Sequence, residues 1–340
     1  MSARFIMIGE NIHASRVLKR EGKQVVTSPD GRVAVRYTSA GGATRELPVP
    51  DAMLSTRDGV KGRIKPVQAA LFAGMSGSTR DQEEGRAYLK ALAVRQVAAD
   101  AAFLDLNVDE VSADDGVRQE TMRWLIRVIE DVALAPIAID SSSPAVLSAG
   151  LAAARGRAGR PLVNSASLER TDLLDLVAEA HCPVVLSAAA GGGLPGDAPE
   201  RVVNAMRMVE QASRRGIPLA LMFIDPLVLP AAVRPEAARD FLDAVGELRR
   251  KLGSEIHITG GMSNVSYGLP ARRALNDVFV ALAIEAGADS GILDPLVSSP
   301  ARPATQPGSR VWELALDLLL GRDPFGRAFL QAHRAGELGS

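Results

Sequence analysis

The chain has 340 residues, 47% of them hydrophobic and 23% charged, with a formal net charge of -1. That balance is ordinary for a globular protein of one large or two average domains, and it offers no basic field for nucleic acid or an anionic membrane surface. The single cysteine, Cys182, excludes an internal disulfide framework and a cysteine-based zinc site, and it fits a reducing cytoplasm.

The chain reaches a strand-like run, FIMIG (5–9), almost at once. Arg4 precedes only four apolar residues there, too few for a signal peptide, and no stretch approaches the ~20 continuous apolar residues of a membrane span. Residues 14–80 interrupt the pattern. KQVVTSPDGRVAVRY reads as a hairpin turning at Pro29-Asp30-Gly31, TSAGGATRELPVPD has no helical period, and KPVQAALF suggests a short helix. Because the first strand ends at Gly9, this stretch is an elaborated loop after strand 1. A lid and an oligomer contact are equal readings of it.

From residue 81 onward, apolar runs of strand length alternate with helix-period segments. A helical face with Leu89, Leu92, Ala93 and Val97 leads to FLDLN (103–107), then to Met122, Leu125, Ile126 and Ile129 at helical offsets. IAID (137–140) precedes a helix with Pro144 in its first turn, and PLVNS (161–165) precedes RTDLLDLVAEA. VVLSA (184–188) runs into AAAGGGLPGD, a glycine-rich loop with no Lys-Ser/Thr phosphate fingerprint. LMFID (221–225) leads to a helix whose face is Phe241, Leu242, Val245, Leu248 and Leu252. IHITGG (256–261) precedes a helix from about Pro270 to Ala286, and SGILDP (290–295) precedes one near 310–320. About eight strand–helix units, with strands apolar on both faces, predict a (β/α)8 TIM barrel over residues 1–340 as a single domain, with a hairpin-containing insertion over 14–80. Periodicity alone leaves a doubly wound open sheet as the competing arrangement.

The strand ends carry the chemistry. They offer Gly9-Glu10-Asn11, then Asp105 and Asn107, Asp140 with Ser141, and Asn164 with Ser165. Asp225, then Gly261 with Ser263 and Asn264, and finally Asp294 complete the set. Helix capping is the better reading for Ser141, Ser165 and Ser266. It is weaker for Asp140, Asn164 and Asp225, since each closes an apolar run and a carboxylate in a barrel mouth is costly to desolvate without a partner. His13, His181, His257 and His333 are scattered without metal-ligand spacing, and no Lys or Arg stands at a clear strand end. The residues describe an amide-and-carboxylate cradle for a neutral heterocycle with no metal.

Six motifs in order, MIGENI, LDLNV, AIDSSSP, LVNSAS, IDPLVLP and GGMSNVSYGLP, resemble the pterin-binding barrels. Among these, the chain is most similar to methyltetrahydrofolate:corrinoid methyltransferases and the folate domain of cobalamin-dependent methionine synthase. The resemblance covers residues 1–13 and 81–296. It implies that Asp140, Asn164 and Asp225 grip the pterin ring, whose amide and amino edge matches two carboxylates and an amide. It also implies that Asn264 faces N5 of methyltetrahydrofolate and donates to it as the C–N bond breaks. Glu10, Asp105 and Asn107 match lining positions, with Asp105 equally a residue that orients Asn107. Gly261 and Ser263 match pterin contacts, the two glycines letting the backbone approach a flat ring.

Three features depart from that pattern: Tyr267 after SNVS, the small residues of LSAAAGGGLP, and the size of the 14–80 insertion. The chain has no Asp-x-His-x-x-Gly cobalamin motif, so the resemblance implies a corrinoid (cobalamin) carried on a separate corrinoid-binding protein. It also implies a cytoplasmic homodimer with no nucleic-acid or membrane partner. The direction of transfer stays open. The alternatives are a dihydropteroate synthase-like enzyme, against which the acidic DLNVDEVSADDG speaks, and a folate-binding subunit without catalysis.

Overall fold

Eight parallel strands alternate with helices as a (β/α)8 barrel in the computed structural model, which describes residues 4–28, 30–132, 134–191 and 193–338. The strands are β1 (Ile6–His13), β2 (Phe103–Asn107), β3 (Ile137–Asp140) and β4 (Leu162–Ala166), followed by β5 (Val184–Ser187), β6 (Met222–Asp225), β7 (His257–Ile258) and β8 (Ser290–Leu293). Their order in the sheet is β7-β6-β5-β4-β3-β2-β1-β8, so neighbours in sequence are neighbours in space and the first strand lies beside the last. The chain divides into two compact units, residues 9–162 and residues 1–8 with 163–340.

In the unit 9–162, each helix starts and stops where the chemistry allows. Asp114 accepts from Val117 N at 3.1 Å to open α2 (Asp115–Glu130), which buries the expected stripe Met122, Leu125, Ile126 and Ile129. Pro144 begins α3 (Pro144–Ala153), its missing N–H costing nothing in a first turn. β2 and β3 run in register, Leu104 opposite Ile137 and Asn107 opposite Asp140. That register sets the last residues of the two strands side by side.

The insertion is a small sheet and a helix rather than one hairpin. Val25–Thr27 pairs antiparallel with Val33–Thr38 across the expected turn, where Gly31 takes a φ of +82° and Pro29 lies outside the described residues. A third strand, Thr44–Pro48, pairs with Val33–Thr38 through a second turn in which Gly42 N donates to Ser39 O at 3.0 Å. The sheet rests on α1 (Thr79–Ala98). Tyr37 meets the Tyr88 ring edge-on at 5.1 Å and donates to Glu84, which also pairs with Arg45 at 2.7 Å. The helix expected from KPVQAALF spans Pro66–Ser76. At its start, Lys65 pairs with Glu110 at 2.9 Å and Gln68 donates to the Glu110 carbonyl at 2.8 Å, tying the insertion to the loop after β2.

In the unit 1–8 with 163–340, the helices are α4 (Leu173–Ala180), α5 (Ala198–Arg214), α6 (Ala237–Leu252), α7 (Arg272–Ala286) and α8 (Arg310–Leu319). Phe241, Val245 and Leu248 of the predicted α6 face are fully buried. Ser187 of β5 stands opposite Asp225 of β6. β4 shifts register by one residue against β5, Val185 facing Asn164 and Leu186 facing Ala166, which leaves Ser165 over. β7 keeps only two ladder residues, and its continuation is joined to β8 by Ile292 N donating to Gly260 O at 2.8 Å. The base of β7 is tied more firmly. Asp289 accepts from Ile258 N at 2.8 Å, lies 2.8 Å from His257 Nδ1 and pairs with Arg249 at 3.1 Å. Burial works to raise the Asp289 carboxyl, but these partners hold it below its usual range. No helix among the described residues is long and apolar enough to cross a membrane.

Candidate active site

In the unit 9–162, the strand ends build a clamp around Asp140. Asn107, 5% exposed, donates its Nδ2 to Asp140 Oδ2 at 2.8 Å and accepts Asp109 N on its Oδ1 at 3.0 Å. Both ends of the amide are used, so its orientation is fixed. His13 Nε2 stands 3.8 Å from the same Asp140 oxygen. Ser15 N donates to His13 Nδ1 at 3.2 Å, which makes Nδ1 the acceptor and assigns the proton to Nε2, facing the carboxylate. Burial, the dominant influence on His13, lowers its affinity for a second proton.

Asp109 braces the loop that follows Asp140. It accepts Ser141 Oγ at 2.5 Å and Ser142 N at 2.7 Å, and although burial pushes its carboxyl up, these donors hold it below the usual range. Glu10 lies 3.6 Å from Arg16. Asp105, 1% exposed, shares the Asn107 face of β2 two residues lower.

In the unit 1–8 with 163–340, Asp225 ends β6 with a desolvated carboxyl, pushed up to about 6 by burial. Leu227 N donates to its Oδ1 at 2.8 Å. Leu227 itself takes a φ of +70°, and Arg201 of α5, fully buried, donates its Nη1 to the carbonyls of both Pro226 (3.0 Å) and Leu227. The guanidinium thus secures the bend that presents Asp225, and it opposes part of the rise in its pKa. Asn164 is 8% exposed at the end region of β4.

The stretch after β7 resolves the function of the two glycines. Met262–Ser266 forms a 3-10 turn, closed by Asn264 N donating to Gly261 O at 2.9 Å. A Cβ on Gly260 would lie about 3 Å from Phe241 and Val228, so this glycine makes room for the core. A Cβ on Gly261 would lie 2.7 Å from Asn264 Nδ2, so this one makes room for the amide. Arg272, the first residue of α7, fixes the turn from outside, donating Nη2 to Ser263 O at 2.8 Å and Nε to Ser266 Oγ at 3.0 Å. Asn264 and Tyr267 are exposed on this braced turn, while Ser263 is 8% exposed.

Several expectations need correction. Ser141, Ser165 and Ser266 are not helix caps: α3, α4 and α7 are capped at Ser143, Asp172 and Ala271. Ser141 instead bonds Asp109, and Ser266 receives Arg272. Two helix arginines, Arg201 and Arg272, brace the bends after strands, a role the sequence does not single out. His13 is not merely scattered. It sits within reach of Asp140, a proximity that a search for metal-ligand spacing does not reveal. Arg272 left one signal, because a cation in the first turn of a helix opposes the dipole and invites another role. Arg201 left none, lying in a helix that reads as an ordinary amphipathic one. Among the described residues no group of three His, Cys, Asp or Glu is placed to hold a metal ion.

The sequence pattern of the pterin binding enzymes matches residues 77–294. The chain belongs to that family. As a pterin-binding enzyme it is 27% identical over 264 residues to the methylcorrinoid:tetrahydrofolate methyltransferase of Eubacterium limosum, covering 76% of this chain and 91% of that one. It is also 31% identical over 246 residues to the methionine synthase of Mycobacterium leprae, covering 68% of this chain but only 20% of that much longer protein. Among solved structures, a dihydropteroate synthetase with its product superposes with a TM-score of 0.50 at 18% identity, covering 76% of this chain and 91% of that one, a likeness of fold alone. The family read from the six motifs is borne out.

Proposed function

We propose that this enzyme moves a methyl group between N5 of tetrahydrofolate and a corrinoid carried on a separate protein. Similarity to the Eubacterium limosum methyltransferase over 91% of its length supports the reaction class. The observation that carries the reading is Asn264, an exposed amide seated on Gly261 and braced by Arg272. N5 gains negative character as its methyl leaves, and an amide that donates to it only then stabilises the transition state more than the ground state. No strong acid is required.

In this reading Asp140, Asn164 and Asp225 hold the pterin edge, with Asn107 fixing Asp140 and Arg201 fixing the bend at Asp225. Glu10 and Asp105 in the unit 9–162, and Gly261, Ser263 and Tyr267 in the other unit, are assigned to folate binding. The corrinoid supplies a metal centre that accepts or gives up the methyl; the chain's own residues bind the folate, orient N5 and supply its hydrogen bond. The reading treats residues 1–340 as one barrel with an insertion over 14–80, working as a cytoplasmic homodimer beside its corrinoid protein. A dihydropteroate synthase is disfavoured because the loop after β2 carries Asp109 and Glu110 where an anionic leaving group needs donors.

The test is the absorbance of cob(I)alamin mixed with methyltetrahydrofolate and the enzyme, alongside Asn264→Ala. Conversion to methylcobalamin that the variant loses while still binding folate supports the transfer and the amide's role. Tight folate binding without transfer in either direction moves the reading to a binding subunit, and absence of folate binding overturns it.

A further inference from the structure

β1 ends at His13, and backbone bonds fix its end. Ala14 N donates to Asn107 O at 3.0 Å, and Arg16 N closes a turn on His13 O at 3.1 Å. The imidazole is fixed as well. Ser15 N donates to His13 Nδ1 at 3.2 Å, and Ser15 Oγ lies 2.8 Å from the same nitrogen. That edge of the ring is occupied, and the proton of the neutral ring sits on Nε2.

Nε2 is placed differently. It lies 3.8 Å from Asp140 Oδ2, beyond hydrogen-bond range, and among the described residues it has no other acceptor. The same Asp140 oxygen already accepts Asn107 Nδ2 at 2.8 Å. Neither group is sealed inside protein, for the His13 and Asp140 side chains keep 29% and 24% of their surface accessible, and Nε2 keeps some of its own. Burial is the largest influence on His13 and lowers its pKa, opposed by the charges of Glu110 and Asp109 and helped by Arg16. The ring is therefore a neutral donor near pH 7.

A fixed acceptor and a fixed neutral donor thus stand side by side in the unit 9–162. Their complement is a planar group that offers an N–H and a C=O on adjacent atoms. An anion does not fit, because Asp140 repels it, and a cation leaves the His13 N–H unmet. A lactam fits both, and the pterin ring carries one, N3–H beside the C4 carbonyl.

We propose that His13 reads the C4 carbonyl of the pterin, its Nε2–H donating to that oxygen while Asp140 accepts the neighbouring N3–H. This rests on the folate reading above and extends it, since it makes His13 a residue that selects a 4-oxo ring over a 4-amino ring. A 4-amino group sets donor against donor at Nε2 and takes away the N3–H that Asp140 accepts.

The test uses the full-length protein with its histidines labelled with nitrogen-15. Methyltetrahydrofolate is titrated in, its affinity is read by calorimetry, and the His13 Nε2–H signal, identified by its loss in His13→Ala, is followed by NMR. A downfield shift of that proton, saturating with the folate, is expected. His13→Ala should weaken folate binding by about tenfold. The 4-amino-4-deoxy analogue should bind the parent protein at least about tenfold more weakly than methyltetrahydrofolate, and His13→Ala should narrow that preference. What preference remains is the share of Asp140. Folate that binds without moving the His13 signal overturns the inference, as does a His13→Ala variant that keeps the parent's affinity or preference; either result leaves the folate reading standing. Absence of folate binding overturns that reading and the inference together. If His13→Ala fails to fold, His13→Gln serves to identify the signal, and the titration of the parent protein still decides.

Discussion

Asp140 and Asp225 both end barrel strands, but one is gripped by side chains and the other is left to burial and backbone. Asp140 receives the Asn107 amide at 2.8 Å, a neutral donor that favours a fixed carboxylate, and lies 3.8 Å from His13 Nε2. Asp225 receives one backbone N–H, and burial pushes its pKa up to about 6, within reach of a proton near neutrality. The difference teaches that one fold can end its strands on two kinds of carboxylate. One is an acceptor fixed in advance, and the other has a charge set by burial against Leu227 N and Arg201. Asn264 belongs to neither kind, being an exposed donor held by its backbone.

The sharpest break of this comparison falls on that donor. On the proposed reaction Asn264→Ala should lower kcat by about 10²–10³-fold with folate affinity nearly kept, as measured by stopped-flow transfer and folate titration. The glycine pair divides the effect. Gly261→Ala forces the amide to swing and should cost up to about 10²-fold in kcat with little change in stability. Gly260→Ala crowds Phe241 and Val228 and should cost ~1–3 kcal/mol in denaturant unfolding while leaving the amide in place. Equal kinetic losses in the two variants would count against the amide's special role.

The next effect tests Asp225 itself. A carboxyl whose folded pKa is raised favours the protonated form, so its contribution to stability is full below about pH 4 and is lost as pH rises through about 6. Asp225→Asn escapes that loss. It should therefore be more stable than the parent at pH 7.5, by roughly 2–3 kcal/mol, with the gap closing toward pH 4. Thermal unfolding of both proteins from pH 4 to 7.5 measures it, and a gap that does not vary with pH would contradict a raised carboxyl.

On the other side of the comparison, Asn107→Leu removes one donor from Asp140 and leaves Asp109 N without the Asn107 acceptor. Folate affinity should fall roughly tenfold, about 1.4 kcal/mol, with no pH trend near 6. The smallest effect is expected at Arg45→Ala in the insertion. Its ion pair with Glu84 is partly exposed, so stability should fall by no more than ~1 kcal/mol and methyl transfer should not change.

What the sequence made legible follows the range of the forces involved. FLDLN and IAID are strands over the residues that their apolar runs mark, and the α2 stripe is buried as its period requires, because local pattern decides local structure. The family was legible because six short motifs fell in order on successive strands. The third strand of the insertion, Thr44–Pro48, was not, since its charges and proline read as loop and only pairing with Val33–Thr38 makes it a strand. Arg201, Arg272 and His13 were missed for a related reason. Each acquires its partner through packing between elements distant in sequence or around a bend, and no spacing rule records that. The glycine pair shows the limit most finely, since two identical adjacent letters serve Phe241 and Asn264 respectively.

The Asp289 cluster at the base of β7 carries a consequence for how this protein can vary. With the strand anchored below by His257, Ile258 N and Arg249, the residues beyond Gly261 leave the ladder. Of the residues in 262–267, the exposed Asn264 and Tyr267 can then be varied at less cost to folding than the buried Met262, Val265 and Ser266. A strand fastened at its foot, with two exposed side chains on a braced turn at its tip, is a place where inheritance can hold an architecture constant while selection tries new side chains on it.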